Sequence, residues 1–144
     1  MIYLGSDHGG FDFKEDLKKF LTKKEYVFED LGNLVYDKDD DYPDYAFKVA
    51  KKVATKKSSK GILLCRSSAG MVIAANKVKG IRAVSVFDLK SAKHCRLHND
   101  ANIIALSGDW LNKQKMFKII ETFLKTEFSK EKRHVRRLSK INNY

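Results

Sequence analysis

Gly61-Ile-Leu-Leu-Cys65-Arg66-Ser67-Ser68-Ala-Gly70-Met-Val-Ile-Ala-Ala-Asn-Lys77 reads as a short apolar strand that passes through a small-residue loop into a helix. An apolar run followed at once by a helix is half of a βαβ unit, so this stretch sets the class of fold. It also sets where chemistry can occur. A helix N-terminus carries unpaired N–H donors and the positive end of the helix dipole, which favour an anionic ligand or a developing oxyanion. The same field is expected to lower the pKa of a thiol at the strand end, here Cys65, and to raise its thiolate fraction. A lone strand cysteine can equally be a small apolar filler of the core, and these residues alone leave both readings open.

Working outward, runs of strand length alternate with helical periodicity. Ile2–Gly5 is a predicted strand, and Phe13, Leu17, Phe20 and Leu21 line one face of a helix. Tyr26–Leu31 is a second strand. A polar, Asp-rich loop from Asn33 to Asp44 leads into a helix that Pro43 is suited to open and that runs to about Lys57. Ile62–Cys65, Ile81–Phe87 and Ile103–Leu106 are the third, fourth and fifth strands, with helices over Met71–Lys77 and Leu89–His98 between them. Met116, Phe117, Ile120, Phe123 and Leu124 line another helix. Such alternation implies right-handed βαβ crossovers and a parallel sheet covered on both faces, with ligands bound beyond the carboxyl ends of the strands.

The chain has 144 residues, 43% of them hydrophobic, and one proline, which fits a single globular domain with a substantial core. No apolar run approaches the length of a membrane span, and Met1 leads straight into a strand rather than a signal peptide. Cys65 and Cys95 have neither metal-site spacing nor a disulfide-rich setting. The expectation is a cytoplasmic protein. The net charge of +11 raises the question of nucleic acid, so its distribution matters. Ten Lys or Arg against three Glu between Lys113 and Tyr144 account for most of the excess. Aromatic residues are not interleaved with these cations as a stacking surface requires, which argues against nucleic acid as the partner.

Polar residues gather where strands end. The first strand closes in Ser6-Asp7-His8-Gly9-Gly10 and the third in the Cys65 loop. The helix after the fourth strand closes with His94, Arg96, His98, Asn99 and Asp100, and the C-terminal segment carries Arg133-His134-Val135-Arg136-Arg137. Each has a plain structural explanation: Asp7 as a cap, His98-Asn99-Asp100 as a helix C-terminal turn, the arginines as a solvated face. Together they are expected to share one edge of the sheet.

Ser6-Asp7-His8-Gly9-Gly10, Asp41-Tyr42-Pro43-Asp44, Gly70-Met-Val-Ile-Ala-Ala-Asn-Lys77, Gly80-Ile-Arg-Ala83, His98-Asn-Asp-Ala-Asn102 and Arg133-His134-Val-Arg-Arg137 resemble, in order and spacing, the ribose-5-phosphate isomerase B family, which also includes galactose-6-phosphate isomerase subunits. The resemblance spans nearly the whole chain. It implies a Rossmann-like αβα sandwich around a five-stranded parallel sheet, with a C-terminal helical extension (about 128–144) packing on a partner subunit. It implies homodimers or homotetramers with active sites shared between subunits, a sugar phosphate as substrate, and no metal or cofactor.

Residue by residue, the resemblance makes Cys65 the base that moves a proton between C2 and C1 of an open-chain sugar phosphate through an enediolate. Ser67 would assist at a sugar oxygen, Asp7 and His98 would act in ring opening and hydroxyl binding, and Asn99 would contact substrate. His8, Arg133 and Arg137 match phosphate ligands, and Tyr42 lines the site. Arg66, Ser68 and Gly70 belong to the loop facing the ligand. The chemistry is coherent: one base must reach two adjacent carbons, and arginines at i, i+4 on one helix face can converge on one phosphate.

Two features depart from the family pattern. Relatives commonly read Cys-Gly-Thr-Gly-x-Gly where this chain has Cys65-Arg66-Ser67-Ser68-Ala69-Gly70, and they commonly carry Arg where the best alignment places Asp109. Arg66 is expected to replace the charge lost at position 109, by contacting the phosphate or pairing with Asp109. An isomerase of another sugar phosphate, such as a hexose 6-phosphate, and a non-catalytic sugar-phosphate-binding relative stay open as alternatives.

Overall fold

The apolar runs around Leu4, Leu64 and Ile104 are too short for buried helices, and they form the three central strands of one parallel sheet. A computed structural model describes residues 1–144. Its strands are β1 (Ile2–Ser6), β2 (Phe28–Asp30), β3 (Lys60–Cys65), β4 (Ala83–Ser85) and β5 (Ile103–Ser107), in the order β2-β1-β3-β5-β4. The helices are α1 (Phe11–Lys23), α2 (Tyr42–Thr55), α3 (Ala69–Ala75), α4 (Leu89–Asn99), α5 (Lys113–Lys125) and α6 (Lys132–Asn142), with a 3-10 turn at His8–Gly10 before α1. No helix is long and apolar enough to cross a membrane.

The period-two alternation of the strands sorts the core into two layers. Leu4, Ile62, Leu64, Ile104 and Leu106 pack with residues of α1, α4 and α5, such as Leu17, Ala92 and Ile120. Tyr3, Leu63, Cys65, Ile103 and Ala105 pack with Val49 and Ala50 of α2 and Met71 of α3. The result is the expected αβα sandwich.

The edge strands are shorter than Tyr26–Leu31 and Ile81–Phe87, the spans their apolar pattern predicts. Each pairs on one side only, and local hydrogen bonds take over at the ends of β4. The Asn76 side chain bonds both backbone groups of Ala83, accepting from its N–H at 2.8 Å and donating to its carbonyl at 2.9 Å. At the other end the Phe87 N–H donates to Ser91 Oγ, which draws that residue into the cap of α4. The loop helix α3 likewise begins at Ala69 and ends at Ala75, earlier than the expected Met71–Lys77.

The C-terminal segment keeps contact with its own protomer through one face and leaves Arg133, Arg136 and Arg137 exposed on the other. It folds back as α6 onto α4 of the same chain, burying His134 and Leu138. The connection before it is tied to α4 as well: Ser129 N–H donates to the Leu97 carbonyl at 3.2 Å, and Arg96 Nε to the Thr126 carbonyl at 3.1 Å.

One close approach sets the position of the first loop. Gly10 lies directly on the backbone of β3, so that a Cβ there would collide with the carbonyl group of Leu64. Only glycine lets the turn after β1 descend against the strand that ends in Cys65. Replacing it forces two backbones apart. Gly10→Ala is expected to lower stability by about 2 kcal/mol, read as a lower urea midpoint at unchanged m-value. An unchanged midpoint would contradict the contact.

Candidate active site

At the carboxyl edge of the sheet, the ends of β1, β3 and β5 bring three loops together. Cys65, 5% exposed, is the last residue of β3, and its Sγ accepts the Ser68 N–H at 3.0 Å. The loop is stitched to the one after β5. Gly108 N–H donates to the Cys65 carbonyl at 2.8 Å, and Ser107 Oγ donates to the Arg66 carbonyl while accepting the Trp110 N–H at 3.1 Å. Ser68 sits at φ +69°, the left-handed region that glycine adopts freely, so the departure from glycine at this position carries strain of about 1 kcal/mol. Arg66 adopts no such conformation. The Ser68 hydroxyl is wholly buried and bonded to Ser85 Oγ at 2.9 Å, whereas Ser67 is exposed at the loop surface.

The thiol is not activated in the way the sequence reading expects. Burial pushes the Cys65 pKa up, the Asp7 carboxylate adds to that, and the N–H groups of Ser68, Ser67 and Met71 only partly oppose it. The N–H groups at the start of a seven-residue helix do not outweigh the hydration that burial takes from the sulfur. Asp7 is itself raised, chiefly by burial and further by Asp40, against the pull of His8 and the Gly10 and Gly9 N–H groups. Its Oδ1 also accepts the Gly10 N–H at 3.2 Å, so Asp7 is both the cap of the turn and the neighbour of the thiol.

His8 is held by a residue the sequence does not single out. Asp40 Oδ1 accepts from the His8 backbone N–H at 3.1 Å and lies 2.7 Å from His8 Nδ1, while Asp40 Oδ2 accepts from Asn33 Nδ2 at 2.7 Å. Asp39-Asp40-Asp41 offers three carboxylates in a row, and spacing alone cannot choose among them. Ligand atoms of Asp7, His8 and Asp40 lie within 4.8 Å of one another. These atoms are already engaged with each other and with the turn, which makes the cluster an orienting network for His8 rather than a ready metal centre. Tyr42 lays its ring against Gly70, where a Cβ would come within 2.6 Å of Tyr42 Cζ. Arg66 Nη1 lies 3.7 Å from Asp109 Oδ1, with both side chains largely exposed.

The other expected residues are elsewhere. His98, Asn99, Arg133 and Arg137 lie at the opposite, amino edge of the sheet, which corrects the expectation of a single shared edge. A helix between parallel strands runs antiparallel to them, so α4 starts beyond β4 and delivers its last residues to the start of β5. Eleven residues of helix span about 16 Å. The Asn99 carbonyl accepts Arg82 Nε at 3.1 Å, just ahead of β4. On α6, Arg133 and Arg137 point outward, and Arg133 Nε meets Glu131 Oε2 at 2.9 Å, an exposed pair worth at most about 1 kcal/mol. His98 stacks between His94 and His134, neither of which the sequence reading assigns a role.

The molecule is thus an α/β protein, a parallel αβα sandwich with a buried thiol and carboxylate at one edge of the sheet and an imidazole with two outward arginines at the other. Comparison with known proteins narrows the class. Residues 2–141 match the family Ribose/Galactose Isomerase. The probable ribose-5-phosphate isomerase B of Mycoplasma genitalium is 42% identical, over 99% of this chain and 94% of that protein. The ribose-5-phosphate isomerase B of Mycobacterium tuberculosis is 35% identical, over 99% of this chain and 88% of that protein. Among solved structures, that of the Mycoplasma genitalium enzyme with bound ribulose-5-phosphate superposes with a TM-score of 0.95 at 40% identity, covering 99% of this chain and 94% of the other. The Trypanosoma brucei type B ribose 5-phosphate isomerase gives 0.93 at 41%, covering 99% and 95%. The chain belongs to the Ribose/Galactose Isomerase family.

The electrostatics of the carboxyl edge are directly testable. Because the Asp7 charge is one of the groups that hold the Cys65 thiol up, Asp7→Asn should move the thiol titration to lower pH, followed by the ultraviolet absorbance of the thiolate. Cys95, also pushed up, to about 11, is replaced by alanine in both proteins so that Cys65 is the only thiol followed. A Cys65 midpoint that stays put or rises in Asp7→Asn would show that Asp7 does not act on the sulfur.

Proposed function

We propose that this chain interconverts ribose 5-phosphate and ribulose 5-phosphate by moving a proton between C2 and C1 through an enediolate, with Cys65 taking and returning it. The observation that supports this most strongly is the Cys65 thiol under the Ser68 N–H with Asp7 beside it, in a chain 40% identical to the relative whose structure holds ribulose-5-phosphate. A thiolate whose pKa is raised is scarce at neutral pH but strong as a base, which suits removal of a carbon-bound proton. Loop N–H groups near the sulfur stabilise negative charge there.

The reaction as proposed draws on both edges of the sheet, so it draws on two copies. His8 and Arg66 of one protomer and Arg133 and Arg137 of its partner would share the phosphate. Arg133 gives up only an exposed ion pair to do so. His98 and Asn99 of the partner would meet the sugar ring opposite Asp7 and Cys65, with Ser67 and Tyr42 at the rim. Light scattering is expected to give at least a dimer.

Cys65→Ala tests the base. It should lower kcat by about three orders of magnitude or more and leave ribulose 5-phosphate binding within a few-fold, since the loss belongs to the transition state. Solvent deuterium incorporation at C1 of ribulose 5-phosphate should stop. Continued incorporation would assign the proton transfer to another residue. In a coupled assay, kcat/KM for ribose 5-phosphate should exceed that for hexose 6-phosphates by about tenfold or more. The reverse order would favour the hexose reading.

The Arg66–Asp109 pair gives a second test. Arg66→Gly should raise KM about tenfold, and Asp109→Arg in that background should recover most of the loss, a coupling that a double-mutant cycle measures. Strictly additive effects would leave the two positions independent.

A further inference from the structure

Three histidine rings form a ladder on the surface where α6 meets α4. The i, i+4 spacing on α4 puts His94 and His98 on one face, with ring centroids 4.0 Å apart and planes tilted by 40°. On the other side of His98, the His134 ring of α6 lies at 4.2 Å and 32°. His134 is buried and anchored, its Nδ1 3.0 Å from Ser129 Oγ, while His94 is exposed and closes the ladder from outside. The proposed reaction gives His98 work to do, yet leaves His94 with none.

We propose that His94 is a positioning residue for His98: it clasps the ring against His134 and fixes its plane, so that His98 can take the O1 hydroxyl proton of the closed sugar as the C1–O4 bond breaks and return it to O4, which becomes the C4 hydroxyl. The inference rests on the proposed isomerase reading. Two imidazolium rings at this separation repel, so protonation of one neighbour disfavours protonation of the next. The groups facing His98 bear this out. His94 on α4 and His134 and Arg133 on α6 are cationic or able to become so, and only Glu131, ahead of α6, opposes them. Partial burial acts first and these neighbours add to it, all lowering the His98 pKa. A neutral ring near neutral pH is a base; a protonated one is not.

The chemistry of the two sugars isolates the step. Ribose 5-phosphate is a closed ring that must open, whereas ribulose 5-phosphate stays open because the hydroxyl that would close its furanose carries the phosphate. Exchange of the C1 proton of ribulose 5-phosphate with solvent therefore uses the Cys65 half of the site without ring opening.

The test compares wild type with His94→Ala and His94→Phe, the latter keeping an aromatic ring without the charge. The His98 ring is followed by NMR titration alongside the pH profile of kcat/KM. In His94→Ala the His98 midpoint and the acid limb for ribose 5-phosphate should move together to higher pH, with kcat/KM at pH 6 falling about fivefold, while C1 exchange in ribulose 5-phosphate changes less than about twofold. His94→Phe should show the same move of the acid limb but recover the alkaline plateau, because the stacked ring still orients His98. An unmoved His98 midpoint in His94→Ala overturns the proposal. A rise in KM with the limb unchanged also overturns it, by making His94 a ligand of the sugar. If wild type turns over no ribose 5-phosphate, the isomerase reading fails on its own, and the NMR titration still reports whether His94 governs His98.

Discussion

The direction of α4 is the constraint on which the rest depends. Parallel strands β4 and β5 must be joined by a helix that runs back along the sheet, so residues at its two ends are separated by its full length. Cys65 closes β3 and Asp7 follows β1 at their carboxyl ends, while His98 and Asn99 come at the far end of α4. No adjustment of loops in one protomer brings these groups onto one small sugar. The docking of α6 on α4 reinforces the separation, because it carries Arg133 and Arg137 to the same amino edge. A reaction that uses all of them needs two copies, each lending one edge.

Within the carboxyl edge, rigidity and charge are linked. The Cys65 loop is fixed at three points: Ser68 N–H on the sulfur, Gly108 N–H on the Cys65 carbonyl and Ser107 Oγ on the Arg66 carbonyl. This fixes the sulfur where burial and Asp7 raise its pKa, which trades thiolate population for base strength. A substrate hydroxyl bonded to Asp7 would relieve part of that penalty. Proton transfer and substrate binding are then coupled through one carboxylate.

Much of this was legible in the sequence, and the gaps have physical reasons. The alternation of apolar runs fixed the sheet and its layers, because buried parallel strands such as Ile62–Leu64 and Ile103–Leu106 leave little room for other readings. The edge strands are shorter than their apolar patterns imply, since Ile81 is buried in the core ahead of β4 and Phe87 is drawn into the cap of α4, and neither pairs in the sheet. Motifs identified Asp7, Cys65, His98 and the arginines, but a motif has no direction in space. The crossover that sends His98 to the other edge follows from topology, not from residue type. Asp40 and Ser107 act through neighbours distant in sequence, which leaves no spacing signal, whereas His94 does stand at i, i+4 to His98, a spacing too common on helix faces to carry a role by itself. The thiol pKa was misjudged because a helix dipole can be read from sequence while the burial that outweighs it cannot.

Subunit complementation tests the shared site most directly. Cys65→Ala and Arg133→Ala/Arg137→Ala, each inactive alone, are unfolded together and refolded into mixed dimers. If the two edges come from different chains, each hybrid carries one site with an intact Cys65 facing intact arginines, and random pairing should restore about a quarter of wild-type kcat. Verified hybrids with no activity would contradict a site built from two protomers.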